Sequence, residues 1–249
     1  MNNLVSIITP SYNSKRFIKE TVDSVVAQTY QNWEMIIVDD CSKDDSVEYI
    51  ENLIQNDLRI KLIALEKNVG AAEARNKALE VAQGRYIAFL DSDDIWLSHK
   101  LDTQLKFMQK KNYAFTFSSY IPFSENGEEE YKIINAPKEL DYSKYCKNTI
   151  IGCLTVIIDK EKVGDFRMPN IKSSHDMALW LLILKRGFKA YGLDETLARY
   201  RLVATSNTAK KYKAIFDVWK VYRNIEKLNV LKSSWYFVNY LFNAIKKRV

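Results

Sequence analysis

Apolar positions along the chain keep two rhythms, and the two alternate. Val5–Thr9 reads VSIIT, a β-branched apolar run stopped by Pro10, which predicts a buried strand. Residues 15–28 instead place Phe17, Ile18, Val22, Val25 and Val26 on one side of a helix. Met35–Val38 is a second strand signal, ended by Asp39-Asp40, and Ser46–Asn56 a second helix signal through Val47, Ile50 and Ile54. Ile60–Leu65 predicts a third strand, and Ala71–Gln83 a helix that Gly84 is placed to stop. Tyr86–Leu90 predicts a fourth strand, ended by Asp91-Ser92-Asp93-Asp94, and Ser98–Lys111 a helix with Ser98 as N-cap.

Strand and helix thus alternate four times within 111 residues, which predicts an α/β fold with a mostly parallel sheet and helices on both faces. Ligands of such sheets bind beyond the carboxyl ends of the strands. Those ends carry Pro10-Ser11-Tyr12-Asn13, Asp39-Asp40 and Asp91-Ser92-Asp93-Asp94, so three polar clusters converge on one sheet edge. The second half is less regular. Ala114–Phe123, Leu154–Ile158 and Leu197–Leu202 read as strands, and Asp141–Lys147 as a short helix. His175–Lys185 is apolar almost all round, a buried helix closed by Gly187. From Ala209 the chain is helical, basic and aromatic. The expected organisation is a domain over 1–208, with halves 1–111 and 112–208, and a tail over 209–249.

Composition narrows the class. The chain has 249 residues, 47% apolar and 27% charged, with 7 glycines and 4 prolines, which excludes collagen-like, linker-like and disordered readings. Cys41, Cys146 and Cys153 form no CxxC pair, so a disulfide framework is not expected and a reducing compartment fits, with Cys153 a buried inert thiol. The N-terminus lacks a signal-peptide pattern, and the longest strongly apolar run, Met177 to Leu184, is too short for a membrane span of about 20 residues. Ten Lys/Arg against two Asp/Glu give residues 209–249 a net charge of +8, within a chain total of +6. The basicity belongs to the tail, which fits one end meeting an anionic surface and not nucleic acid bound across the core.

Each polar cluster has two readings. Asp91 and Asp93, one residue apart past a strand, suit Mg²⁺ or Mn²⁺, which take one or two carboxylates plus substrate phosphates. The same pattern also describes a solvated turn before a helix. Asp39 can accept from a base N–H or a ribose hydroxyl, or simply favour a helix N-terminus. Arg75 can meet a phosphate or a base carbonyl, or pair with Glu73 or Glu80. Asp176 can cap the apolar helix, or act as general base toward a hydroxyl at a cleft rim. No G-x-G-x-x-G follows the first strand and no P-loop occurs, which speaks against dinucleotide binding and P-loop chemistry.

Five segments occur together and in order: VSIITPSYN (5–13), WEMIIVDDCSKDDS (33–46), NVGAAEARNKAL (68–79), YIAFLDSDD (86–94) and SHDMALWLLILKRG (174–187). As a set they resemble the family 2 glycosyltransferases of the GT-A fold. The resemblance implies a Rossmann-like, mostly parallel sheet with flanking helices and a C-terminal helical tail. It implies that Pro10 and Tyr12 line the nucleobase pocket, Asp39 bonds the base edge and Arg75 lies near the base or diphosphate. Asp91, with Ser92 beside it, reaches the ribose, Asp93 holds Mn²⁺ or Mg²⁺, and Asp176 is the catalytic base of an inverting transfer. The donor is a nucleotide-diphospho-sugar, expected to be UDP-linked. The acceptor is a glycan or a polyprenyl-diphosphate-linked saccharide of a bacterial surface polysaccharide.

Two departures qualify the resemblance. Tyr200-Arg201 is followed by Leu202-Val203-Ala204-Thr205, where the family often has a metal-binding His, so water or phosphate is expected as the third ligand. The Gln-x-x-Arg-Trp signature of processive polymerases is absent, which favours single transfer. The missing His also leaves open a non-catalytic nucleotide- or glycan-binding module on the same fold. Trp235, Tyr236, Phe237, Tyr240, Leu241 and Phe242, followed by Lys246-Lys247-Arg248, fit either an amphipathic helix on an anionic bilayer or a packed C-terminal helix. The expected location is the cytoplasm, with peripheral contact at the inner face of the membrane.

Overall fold

The structure is a computed structural model that describes residues 3–203 and 211–246. The expected domain boundary at 208/209, together with Ala204, Thr205, Lys247 and Arg248, lies outside the described residues.

The first half folds as its alternation predicts. β1 (Val5–Ser11), β2 (Trp33–Asp39), β3 (Ile60–Ala64) and β4 (Tyr86–Phe89) are joined by α1 (Ile18–Val26), α2 (Ser46–Ile54) and α3 (Ala71–Val81). β1 and β2 are buried along their whole length, which is why they read as near-continuous apolar runs. β5 (Ile95–Trp96), a two-residue strand that periodicity does not reveal, precedes α4 (Lys100–Lys111).

The second half supplies β6 (Phe115–Ser124), β7 (Glu139–Leu140), α5 (Tyr142–Lys147), β8 (Ile157–Asp159), α6 (Lys160–Val163), α7 (His175–Lys185) and β9 (Ala190–Leu202). Two tail helices follow, α8 (Lys211–Lys220) and α9 (Val230–Lys246), with a π-helical turn at Val221–Ile225 between them.

Among the described residues all strands join one sheet in the order β3-β2-β1-β4-β8-β6-β9-β5, with β7 paired to β9. β3, β2, β1 and β4 are mutually parallel, while β8 runs antiparallel to both β4 and β6. The sheet is thus continuous across residue 111. Alternate strand residues feed two cores. Ile8, Ile36, Val38 and Phe89 face α3 and α7, whereas Ile7, Met35, Ile37 and Ala88 face α1 and α4. α7 is buried nearly all round, with Trp180 0% exposed against Phe89 and Phe115.

Several local expectations are corrected. α4 starts at Lys100, not Ser98, because the Ser98 carbonyl accepts from the Thr29 N–H at 2.8 Å and Ser98 caps nothing. Gly84 does not stop α3, which ends at Val81 with Ala82 extended. Gly84 is a close-approach position instead: a Cβ there would lie 2.6 Å from the Ser6 backbone nitrogen. The 154–158 strand signal splits into a 3₁₀ turn over Cys153–Thr155 and β8.

Candidate active site

Parallel registration builds the sheet edge. Ser11 pairs with Asp39, so Pro10, Ser11 and Asp39 end β1 and β2 side by side. Asp39 is 0% exposed. Its carboxylate accepts from the Ser42 N–H at 2.8 Å, the Ser42 hydroxyl at 2.6 Å and the Ser11 hydroxyl at 3.1 Å. Pro10 is buried in β1, and Tyr12 just beyond it is 48% exposed, its ring open to solvent.

Asp40 positions the next element. Its carboxylate accepts from the N–H groups of Val69 at 2.6 Å and Gly70 at 2.8 Å, fixing the entry into α3. Gly70 has φ +88°, a conformation that favours glycine, so the Asn68-Val69-Gly70 turn carries a backbone requirement. One turn later α3 presents Arg75, itself buried.

Arg75 does not pair with Glu73 or Glu80. Its Nη2 donates to Asp91 and its Nη1 lies 2.7 Å from Nε2 of His175, while Glu80 takes Lys77 and Arg167 instead. Burial weakens the guanidinium charge, but the Asp91 carboxylate outweighs this and holds it firmly protonated. Burial and the Arg75 charge together push the His175 pKa down, so the ring is neutral.

The acidic loop is pinned at both ends. β5 pairs Ile95 with Arg199 of β9, and the Arg201 N–H donates to Asp94 at 2.9 Å. The buried Arg201 side chain donates from Nε to the Asp93 carbonyl at 2.8 Å, from Nη1 to the Glu125 carbonyl at 2.9 Å and from Nη2 to Glu20 at 2.7 Å. Burial, then the nearby Asp91 charge, pushes the Asp93 carboxyl up to about 6. Burial together with Asp93 and Asp91 raises Asp94 well above the usual carboxylate range. Asp94 Oδ2 and Arg75 Nε are buried without a partner in the protein.

Arg75, Asp91, Asp93 and Asp176 line one cavity of about 760 Å³ at this edge of the sheet. Pro10, Tyr12, Asp39 and Ser92 are not among its lining residues. Asp176 occupies the first turn of α7, and the N-cap is Ser174, with φ +57° and no side-chain capping bond, so Asp176 is not the cap. Tyr120, Tyr145 and Cys153 also line the cavity and were not read from the sequence as site residues. Burial pushes the Tyr120 hydroxyl to about 12 and raises the Cys153 thiol, which makes that thiol a poor nucleophile. These residues share no spacing with the acids, so no one-dimensional signal points to them.

The oxygen donors fit a hard divalent cation. Asp91, Asp93 and Asp94 all line the cavity, Asp94 Oδ2 is buried without a partner in the protein, and burial, then the neighbouring acids, raises the Asp93 and Asp94 carboxyls. No cluster of three or more His, Cys, Asp or Glu suited to a metal occurs among the described residues.

Residues 6–168 match the family model described as Glycosyl transferase family 2. The chain belongs to the family 2 glycosyltransferases. It is 52% identical over 246 residues, covering 99% of this chain and 98% of the relative, to the Bacillus subtilis protein named as a teichuronic acid biosynthesis glycosyltransferase, TuaG. It is 40% identical over 248 residues, 98% of this chain and 94% of the relative, to the Escherichia coli UDP-Glc:α-D-GlcNAc-diphosphoundecaprenol β-1,3-glucosyltransferase WfgD. Among solved structures, Staphylococcus aureus TarS 1–349 in complex with UDP-GlcNAc superposes with a TM-score of 0.69 at 22% identity, over 95% of this chain and 71% of that one. The Pyrobaculum calidifontis mannosyltransferase PcManGT, in complex with GDP-Man and Mn²⁺, gives 0.72 at 16% identity, over 98% and 73%. At these identities the structural matches establish the fold, a GT-A α/β architecture. This family 2 glycosyltransferase has no described helix long and apolar enough to cross a membrane.

Proposed function

We propose that the protein transfers a sugar, with inversion, from a UDP-sugar to a hydroxyl of a polyprenyl-diphosphate-linked saccharide in bacterial surface polysaccharide synthesis. The observation that carries this reading is the single cavity joining Arg75, Asp91 and Asp93 to Asp176. The WfgD and TuaG relatives support the donor and acceptor classes.

In this reading residues 1–111 hold the donor and 112–208 shape the acceptor side, with 209–249 as the tail. Tyr12 and Pro10 flank the base, and Asp39 accepts from its edge at the carboxylate lone pair that Ser42 and Ser11 leave open. Asp91, beside Ser92, reaches the ribose, while Arg75 faces the diphosphate. Asp93 would hold Mn²⁺ or Mg²⁺, which when bound would supply positive charge against the leaving nucleoside diphosphate. Asp176 accepts the proton of the acceptor hydroxyl as that oxygen forms its bond to the anomeric carbon and the bond to the diphosphate oxygen breaks. Attack opposite the leaving group inverts the centre. The protein works in the cytoplasm, at the inner face of the membrane where a lipid-linked acceptor is presented.

The test is incubation of the purified protein with UDP-glucose and a synthetic GlcNAc-diphosphate-lipid, with Mn²⁺ or with EDTA. Expected is a disaccharide with the inverted anomeric linkage, formed with metal and not with EDTA. Metal-independent turnover would overturn the role of Asp93. No transfer from any UDP-sugar, by a protein that binds UDP, would favour the non-catalytic module.

A further inference from the structure

The tail packs on the domain through one face and exposes a second. Val218, Val221, Tyr222 and Tyr236 enter the core cluster that contains α7, and Ser233 is 0% exposed, so one side of α9 is docked. Leu231, Trp235, Val238 and Phe242 are 84%, 62%, 62% and 61% exposed. Their spacing of four, three and four residues places them in one line on the opposite side of the helix, over about 16 Å. A docked helix has no folding reason to carry four large apolar side chains toward water.

Charge indicates what meets them. The only two acids of residues 209–249, Asp217 and Glu226, are buried at 6% and 7% exposure. Asp217 accepts from Ser173 and Lys220, and Glu226 from Tyr142 and Lys185. The acids of the tail thus turn inward, while Lys227 and Lys232, beside and on α9, are exposed, and the tail carries a net charge of +8. A second copy of this chain would bring like charge against like charge. An apolar stripe with a Trp, in a tail of net charge +8, matches an anionic lipid interface.

We infer that α9 lies in the plane of an anionic membrane, with Leu231, Trp235, Val238 and Phe242 inserted at the headgroup boundary. Tyr240, on the docked side of the same helix, lines the candidate cavity. Insertion of the stripe therefore holds the cavity beside the lipid surface. This deepens the reading of a lipid-linked acceptor and rests on it for its purpose, but not for its test.

The test is co-sedimentation of the full chain with phosphatidylcholine vesicles, with and without phosphatidylglycerol, in the absence of donor and acceptor. Expected is binding to the anionic vesicles that weakens with salt. Trp235→Ser combined with Phe242→Ser should lower that binding by at least about tenfold, because two large apolar side chains are lost from the interface. The variant's thermal shift with UDP and Mn²⁺ should be unchanged, since both side chains are more than half exposed and neither belongs to the buried core clusters. Wild-type failure to bind, or undiminished binding by the double variant, would overturn the inference. A dimer in sedimentation velocity that the double variant dissolves would overturn it too, by assigning the stripe to a second copy. Each outcome is read separately from sugar transfer.

Discussion

Nη1 of Arg75 lies 2.7 Å from Nε2 of His175, across 100 residues of sequence, and the two belong to a chain of three residues that ends on Asp91. A guanidinium only donates, so Nε2 of His175 accepts and the ring proton sits on Nδ1. The lowered His175 pKa agrees with that neutral form. A neutral acceptor leaves the full charge of Arg75 directed at Asp91 and the cavity, immediately beside Asp176.

His175→Gln keeps an oxygen that can accept from Arg75, whereas His175→Leu strands a buried donor. The Leu variant is expected to lose roughly 1–3 kcal/mol of stability, and the Gln variant much less. Urea denaturation of both variants measures the difference. Equal losses would mean that ring packing, not the hydrogen bond, is what His175 supplies.

The proposed cation-holding role of Asp93 predicts donor binding that depends on pH in a definite direction. Its carboxyl titrates at about 6, so it is neutral below that pH and must lose a proton to hold a cation. Affinity for Mn²⁺ with UDP should therefore be flat above pH 6 and fall about tenfold per unit below it. For the metal-free protein the sign is opposite. A carboxyl raised in the folded state favours folding at low pH, and that contribution is lost as pH rises toward 6. Calorimetric titration across pH 5 to 8 would measure the first effect. Asp91→Asn, which removes the neighbouring charge, should move the break to lower pH.

How far the site is legible from sequence depends on how local each interaction is. β1 to β4 were readable because each is a short apolar run followed by a helix of clear period. The acids at their ends could be placed by topology alone. β5 has two residues and exists only through its pairing with β9, and β9 itself follows β6 through shifted registers near Ser118 and Ser119, so neither leaves a clean alternation. Spacing along α3 offered Glu73 and Glu80 to Arg75, but the chain fold delivered Asp91 and His175. The tail posed a choice between packing and surface contact. The described part of α9 shows a docked face and an exposed one, a division visible in sequence only once the docked side is known.

Arg201 follows from the same reasoning. The sequence drew attention to the Tyr200-Arg201 pair for a metal-binding His that does not follow it. In the fold, Arg201 ties the Asp93 carbonyl, the Glu125 carbonyl and Glu20 together while its backbone holds Asp94. Arg201→Ala leaves two carbonyls without their donor and should cost on the order of 2–4 kcal/mol. It should also weaken metal-dependent UDP binding, because the loop bearing Asp93 loses its clamp. Chemical denaturation and a UDP titration with Mn²⁺ check the two effects together. Unaltered UDP affinity in a destabilised variant would confine Arg201 to a folding role.

Asp176 carries the proposed proton transfer, and its variant separates chemistry from binding. Asp176→Asn preserves size and leaves the first turn of α7 intact, but its amide cannot take a proton. Turnover is expected to fall by about 10² to 10⁴-fold, the usual contribution of a positioned base. Donor binding should persist, because Asp93 and Arg75 are untouched. At UDP concentrations near 100 times Kd, with Mn²⁺, the variant should still gain about 2.7 kcal/mol of stability, as the parent does. Loss of turnover with that stabilisation retained would fit Asp176 as the base. Loss of both would make it part of donor binding, and near-normal turnover would send the search to another proton acceptor in the cavity.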